Sequence, residues 1–278
     1  MKDFKISNIA GTVPLSNGVE MPYFGLGTWQ SNEGPEVVNA VHYALDCGYR
    51  LIDTASFYQN EKGIGEALKE HGIDRKELFI TTKVWNTDQG YDETLKAFDK
   101  SLNLLQTDYL DLYLVHWPVT GKYVETWKAL EKLYADGKVR AIGISNFLQV
   151  HLDKLLLETT IKPMLNQMEF HPHLIQQPLL DFCKSQDILY QAWSPIMQGG
   201  VFDIPILKKI SKKYRKNAAQ ITLRWDLQKG VATIPKSANQ ARIGSNADLF
   251  DFELTSEEMA QIDALDKNHR YGFDPMNV

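Results

Sequence analysis

Four residues of this 278-residue chain could share one reaction: Asp53, Tyr58, Lys83 and His116. Three of them end short apolar runs: Leu51-Ile52-Asp53, Leu78-Phe79-Ile80-Thr81-Thr82-Lys83 and Leu110-Asp111-Leu112-Tyr113-Leu114-Val115-His116. Tyr58 sits in the small-residue loop after the first run. If the runs are parallel neighbouring strands, a carboxylate, a phenol, an amine and an imidazole meet at one end of a sheet or barrel. An unperturbed tyrosine titrates near about 10 and a lysine near about 10.4. A nearby cation stabilises phenolate, and a nearby carboxylate keeps a buried lysine charged. The expected arrangement is a relay, Asp53–Lys83–Tyr58, whose product is a more acidic phenol. His116 could bond the same substrate oxygen or balance its proton. A phenol with an imidazole suits protonation of a developing alkoxide. Neither supplies hydride, so a reductase built on them needs a cofactor.

The elements that would position these groups alternate regularly. Residues 13–21 read as a hairpin, with Asn17-Gly18 suited to a type I′ turn, lying over one end of the fold. Strands are expected at 24–26, 51–53, 78–83, 110–116, 139–144, 164–169, 188–192 and 231–234. Helices are expected between them at 35–47, with Pro35 in its first turn, at 60–70 behind an Asn60 cap, and at 92–105, 124–134, 148–157 and 177–186. Two more are expected at 204–214 and 218–228, then one at 241–247 and a last from Thr255 to about residue 265, where Thr255 and Glu258 have capping-box spacing. Leu112-Tyr113-Leu114-Val115 and residues 139–144 are continuous apolar runs, as parallel strands covered on both faces require. Eight strand–helix units fit one α/β domain over residues 1–278, a (β/α)₈ TIM barrel with an N-terminal β-hairpin and extra C-terminal helices. The rival is an open doubly wound sheet, but Gly25-Leu26-Gly27-Thr28 lacks the third glycine of a dinucleotide fingerprint.

Composition bounds the function classes. A net charge of −5 argues against a general nucleic-acid binder, yet allows a local basic pocket for one phosphorylated ligand. Two cysteines, Cys47 and Cys183, are too few for a disulfide framework and read as buried free thiols. No stretch resembles a signal peptide, and none approaches the roughly 18 apolar residues of a membrane span. A cytoplasmic protein without membrane or nucleic-acid partners is the expectation.

Several long motifs carry a family resemblance. Gly48-Tyr49-Arg50-Leu51-Ile52-Asp53-Thr54-Ala55, with Tyr58, Asn60 and Glu61, resembles the first signature of the aldo-keto reductases. Residues 108–118, ending His116-Trp117-Pro118, resemble the second. Ile234-Pro235-Lys236-Ser237 with Arg242, Ile243 and Asn246 resembles the third, and Gly143-Ile144-Ser145-Asn146-Phe147 and Asn166-Gln167-Met168-Glu169 match as well. The resemblance spans nearly the whole chain. It is greatest to bacterial members of the glyoxal/methylglyoxal reductase and 2,5-diketo-gluconate reductase type.

That resemblance implies NADPH-dependent carbonyl reduction by a monomer without metal. Asp53, Tyr58, Lys83 and His116 would form the catalytic tetrad, with Tyr58 the general acid. Gly27, Thr28, Trp29 and Asp53 would border the cofactor. Ser145, Asn146 and Gln167 would hold the nicotinamide carboxamide. Trp193, next to Ser194, stands where the family usually has a tyrosine stacking on the nicotinamide. Lys236, Ser237 and Arg242 would hold the adenosine 2′-phosphate and Asn246 the adenine, while Ser245 stands where many relatives carry glutamate. Trp29, Tyr58, Trp85, His116 and Trp117 would line a shallow substrate pocket, with Tyr271 and Phe273 of the short tail near its mouth. Small dicarbonyls, keto-sugars and aromatic aldehydes are the expected substrates.

Each residue alone has a plainer reading: Asp53 as a cap, Lys83 as a solvated amine, His116 as a rim histidine, the tryptophans as packing. Two other functions stay open at this level. Lys83 could be a Schiff-base nucleophile, although Asp53 would keep it protonated. The chain could also be a nucleotide sensor without turnover.

Overall fold

The structure, a computed structural model, describes residues 5–278. β1 (Thr12–Pro14) and β2 (Glu20–Pro22) pair antiparallel, with Val13 opposite Met21. The turn between them is not type I′. Of Asn17 and Gly18 only Gly18 has positive φ, 84°, and its N–H donates to the Leu15 carbonyl. That is a type I turn closed by a left-handed glycine, the three-residue alternative. Asn17 is used elsewhere: its Nδ2 donates to the Tyr134 hydroxyl at 3.2 Å and the Arg140 carbonyl at 2.9 Å, fastening the hairpin over the barrel floor.

Eight strands follow: β3 (Leu26–Gly27), β4 (Leu51–Asp53), β5 (Phe79–Val84), β6 (Leu110–Val115), β7 (Val139–Ser145), β8 (Leu165–Glu169), β9 (Leu189–Trp193) and β10 (Ala232–Thr233). They lie in sequence order, each parallel to the next. Phe24 bridges Thr233 and Gly27 bridges Lys236, both parallel, so first and last strands meet and the sheet closes as a (β/α)₈ barrel. The seam needs glycine: a Cβ on Gly27 would stand 2.7 Å from the Ile234 carbonyl oxygen. Every residue of β5 and β6 is buried, as burial on both faces demands.

The outer layer comprises α1 (Pro35–Asp46), α2 (Glu61–His71), α3 (Tyr91–Leu105), α4 (Tyr123–Ala135), α5 (Gln149–Glu158), α6 (Gln177–Ser185), α7 (Pro205–Tyr214), α8 (Ala218–Gln228), α9 (Gln240–Ala247) and α10 (Ser256–Asp263). Pro35 opens α1, and Thr255 and Glu258 form the capping box of α10. Asn60 occupies the cap position of α2 without capping it. Its Nδ2 donates to the Thr28 and Ser31 carbonyls at 2.9 and 3.1 Å, and its Oδ1 accepts from Thr54 Oγ1 at 2.7 Å. It therefore ties together the loops that leave β3 and β4. Cys183 is buried and Cys47 half-buried, both free, and burial pushes both thiols up, Cys183 to about 12. Neither is a ready nucleophile. Among the described residues no helix is long and apolar enough to cross a membrane.

Candidate active site

Asp53 closes β4, Lys83 lies in β5, His116 follows β6, and Tyr58 ends a short 3₁₀ turn, Ser56–Tyr58. The four side chains meet at the carboxyl end of the barrel. Lys83 is fully buried, and its three N–H bonds are all directed. Nζ donates to Asp53 Oδ1 at 2.5 Å, to the Thr54 carbonyl at 2.7 Å and to the Tyr58 hydroxyl at 3.5 Å. Asp53 Oδ2 accepts from Gln167 Nε2 at 2.7 Å. Burial pushes Asp53 up and Lys83 down, and their mutual attraction opposes both movements. Glu61, also buried and accepting from Thr82 Oγ1 at 2.6 Å, adds a second negative charge that favours the ammonium. Nζ held by Asp53 and the Thr54 carbonyl is tied down as a donor and is a poor nucleophile, which counts against the Schiff-base reading.

The expected acidic phenol is corrected. Burial pushes Tyr58 well above its ordinary value, and the charge of Asp53 adds to the rise. Lys83 is already paired with Asp53 and reaches the Tyr58 oxygen only at 3.5 Å, so in the resting site burial outweighs its pull on the phenol proton. Tyr58 is therefore a neutral O–H donor. Its ring lies edge-on to His116, centroids 5.6 Å apart. Burial pushes the His116 imidazole well below its ordinary value, and Lys83 adds to the fall. Its Nδ1 is buried without a partner among the described residues. A buried N–H without an acceptor costs more than an unused lone pair, so the ring proton belongs on Nε2.

Next to the tetrad lies a second polar group. Ser145 Oγ donates to the Gln167 carbonyl at 2.9 Å, and Asn146 Nδ2 donates to the His116 carbonyl at 3.0 Å and to Ser145 Oγ at 3.1 Å. Gln167 Nε2 also donates to Gln191 Oε1 at 2.8 Å. Trp193 Nε1 donates to Asn146 Oδ1 at 2.8 Å, a bond no tyrosine could supply from a ring nitrogen. Asn146 and Ser194, each just past a strand end, hold φ of 66° and 53°. Left-handed non-glycine residues cost about 1–3 kcal/mol and gather at functional sites. Gly27 belongs to the seam, and Thr28 faces inward: its N–H and Oγ1 both donate to the Asp53 carbonyl, at 3.1 and 2.9 Å. Thr28 thus braces Asp53, and its hydroxyl is already committed.

A cationic corner forms where β10 leaves the barrel. Lys236 Nζ donates to the Gln30 carbonyl at 3.0 Å, and Arg242 Nε donates to Ser237 Oγ at 3.4 Å in the first turn of α9. Bonds from Asn32 hold the Glu36 carboxyl below its ordinary value, and Lys236 lies near enough to add to that effect. Two cations, a hydroxyl and a helix N-terminus fit a phosphomonoester. Asn246 is buried in the last turn of α9, and the Ser245 hydroxyl accepts from Asn217 Nδ2 at 2.8 Å. Polar strand ends at one side and this corner at the other suit an extended dinucleotide carrying a 2′-phosphate.

The mouth holds an aromatic stack. Phe57 lies flat on Trp85, centroids 3.7 Å apart, and stacks on Trp29 at 5.5 Å. Trp29 also approaches Tyr58, at 4.9 Å, and Trp85 approaches His116 edge-on, at 5.1 Å. Phe57 was missed in the sequence, although a lone aromatic directly before Tyr58 in a small-residue loop was a usable signal. Trp117 is half-buried beside His116, its carbonyl accepting from Gln89 Nε2 at 2.7 Å. Tyr271 packs between His171 and His269, whereas Phe273 is 81% exposed.

A model of the Aldo/keto reductase family matches residues 24–267. The chain is similar to the glyoxal reductase of Bacillus subtilis (strain 168), 57% identical over 97% of this chain and 98% of that one. It is also similar to the methylglyoxal reductase DkgA of Escherichia coli (strain K12), 45% identical over 95% of this chain and 96% of that one. Among solved structures, a mutant of Gox0644 in complex with NADPH superposes with a TM-score of 0.92 at 41% identity, covering 96% of this chain and 98% of that one.

Proposed function

The chain belongs to the aldo/keto reductase family, and from that premise we propose that it reduces small dicarbonyls, glyoxal and methylglyoxal first, to hydroxycarbonyls. It is an NADP-dependent oxidoreductase. Keto-sugars and aromatic aldehydes are further substrates, admitted by an open mouth where Trp29 is 45% exposed. The enzyme works as a monomeric, cytoplasmic barrel domain.

NADPH supplies the hydride when bound. The chain supplies the rest. The Tyr58 hydroxyl and His116 Nε2–H donate to the substrate carbonyl oxygen and orient it. As negative charge develops there, Tyr58 transfers its proton to that oxygen. Lys83, 3.5 Å from the phenol oxygen, stabilises the resulting phenolate and hands it a proton in turn. Asp53 holds Lys83 in place, and Gln167 holds Asp53. Ser145, Asn146 and Gln167 hold the carboxamide end of the cofactor, beside Trp193 and Ser194. Lys236, Ser237 and Arg242 hold its 2′-phosphate by charge-assisted bonds, and Asn246 its adenine. The phosphate contacts favour NADPH over NADH.

One observation carries the reading: a neutral phenol held against a buried, fully bonded lysine and edge-on to a neutral imidazole. Loss of NADPH absorbance with methylglyoxal, a keto-sugar acid and an aromatic aldehyde tests it. Wild type should turn over the dicarbonyl fastest. Tyr58→Phe should lose about 1,000-fold in kcat yet bind NADPH within about twofold. Full activity in that variant, or lost NADPH binding, would refute the assignment of the acid.

A further inference from the structure

We propose that Glu169 is a positioning residue for hydride transfer, acting through the tail glycine Gly272 on the indole of Trp193. The proposal rests on the reductase reading above, in which Trp193 flanks the nicotinamide. Glu169 ends β8 and is fully buried. Its Oε1 accepts from His171 Nε2 at 3.0 Å and from the Tyr271 backbone N–H at 2.6 Å. The Gly272 N–H lies 3.3 Å from Oε1 and 3.2 Å from Oε2. The tail here is neither helix nor strand, so its amides need an outside acceptor, and this carboxylate is it. Arg270 Nη2 adds a bond to Gln176 Oε1 at 2.7 Å just before the clamp.

The clamp presses Gly272 onto the indole. A Cβ at Gly272 would lie 2.4 Å from Trp193 Cη2, with Cζ3 and Glu169 Oε2 each at 3.2 Å, so the hard clash is with the indole. Gly272 does not have positive φ, so this contact, and not backbone strain, demands glycine. At its other edge the indole is fixed by the bond from Nε1 to Asn146 Oδ1, 2.8 Å. Asn146 in turn donates to the carbonyl of His116. Held at two edges, the indole is a plate of fixed tilt, and the polar group beside it is fixed too. A buried acid that served folding alone would not need to reach the indole through a glycine.

The test is a double-mutant cycle on the full chain with NADPH dissociation constants and steady-state kinetics. Gly272→Ala should weaken NADPH about tenfold, because the indole must tilt. In a Trp193→Phe background, where the outer ring of the indole is gone, the same substitution should cost less than about twofold. Glu169→Gln should speed hydrogen exchange of the Tyr271 and Gly272 amides at least about tenfold in the cofactor-free protein, and should weaken NADPH comparably. An equal Gly272→Ala penalty in both backgrounds would overturn the proposal. Faster exchange in Glu169→Gln with NADPH affinity unchanged would overturn it as well, leaving the acid a tail anchor only. Failure of the reductase reading shows separately, in the wild type: no NADPH binding overturns both, whereas NADPH binding that shows the coupling without carbonyl turnover overturns the reductase reading and leaves Glu169 a positioning residue for the bound cofactor only.

Discussion

Two buried aspartates at opposite ends of the barrel are held in opposite ways. Asp111, near the start of β6, accepts from Arg140 Nη1 at 2.7 Å and from the Ile80 backbone N–H at 2.9 Å, and forms an ion pair with Arg75 Nη1 at 2.7 Å. The two arginine side chains are 44% and 22% exposed. Their charge is permanent and partly hydrated, so the pairing demands less desolvation than a fully buried pair. Asp53, at the end of β4, faces a lysine with no solvent exposure and the amide of Gln167. Both members of that pair can change protonation, and burial moves each towards its neutral form. The floor of the barrel uses fixed charges that reach water. The mouth uses exchangeable protons sealed from it.

Lys83→Met should break this contrast most severely. Removing the ammonium should lower kcat about 1,000-fold. It also leaves Asp53 buried without a cation, which drives its folded value higher still. An acid raised in the fold stabilises below its unfolded value near about 3.9 and loses that contribution as pH rises. The unfolding temperature of the variant should therefore fall between about pH 5 and about pH 8 more steeply than that of wild type. Parallel profiles would mean that water reaches Asp53.

Asp111→Asn should do the reverse. The amide oxygen can still accept from Ile80, and Arg75 keeps its bonds to Thr107 Oγ1 and to the Leu78 and Tyr109 carbonyls. The cost should be about 2 kcal/mol, read as a fall of about 4–8 °C in Tm, with kcat/KM unchanged within about twofold. Little of that should come from the more exposed Arg140. A kinetic defect larger than the stability defect would dissolve the division between the two ends.

His116→Gln refines the comparison by the smallest amount. The folded imidazole lies well below its ordinary value. Its contribution is complete above the unfolded value near about 6.5 and is lost as pH falls through the lower folded one, at up to about 1.4 kcal/mol per pH unit. Thermal unfolding across that window should show a slope in wild type that the glutamine variant lacks. The same slope in both would assign the acid sensitivity to another group.

Most of this architecture could be read from the residues. Continuous apolar runs marked β5 and β6, and the groups that end them do meet at one end of the barrel, where the candidate site lies. What the sequence hid were contacts made across the fold. Asn60 has the type and place of a helix cap, but three loop groups compete for its amide and win. Asn17-Gly18 suits two hairpin turns, and the reach of Asn17 to Tyr134 and Arg140 accompanies the looser one. The sequence places a cation near the Tyr58 phenol but not its pairing with Asp53, and that pairing together with burial keeps the phenol neutral. Glu169 was visible at a strand end, but its acceptors' partners, Tyr271 and Gly272, arrive from about a hundred residues away.

The seam between β3 and β10 sets a waiting time. Every other pairing in the barrel joins strands made one after the other. Phe24 and Gly27 must wait for Thr233 and Lys236, which leave the ribosome about 10–40 s later at about 5–20 residues per second. Throughout that interval one apolar edge of the growing sheet has no partner, and an unpaired edge is where chains join the wrong neighbour. The hairpin just upstream can pair locally, because β1 and β2 both lie within residues 12–22, although its Asn17 anchor waits for Tyr134 and Arg140. Barrel closure is thus a late event of synthesis, and until it happens the outer edge of β3 stays open.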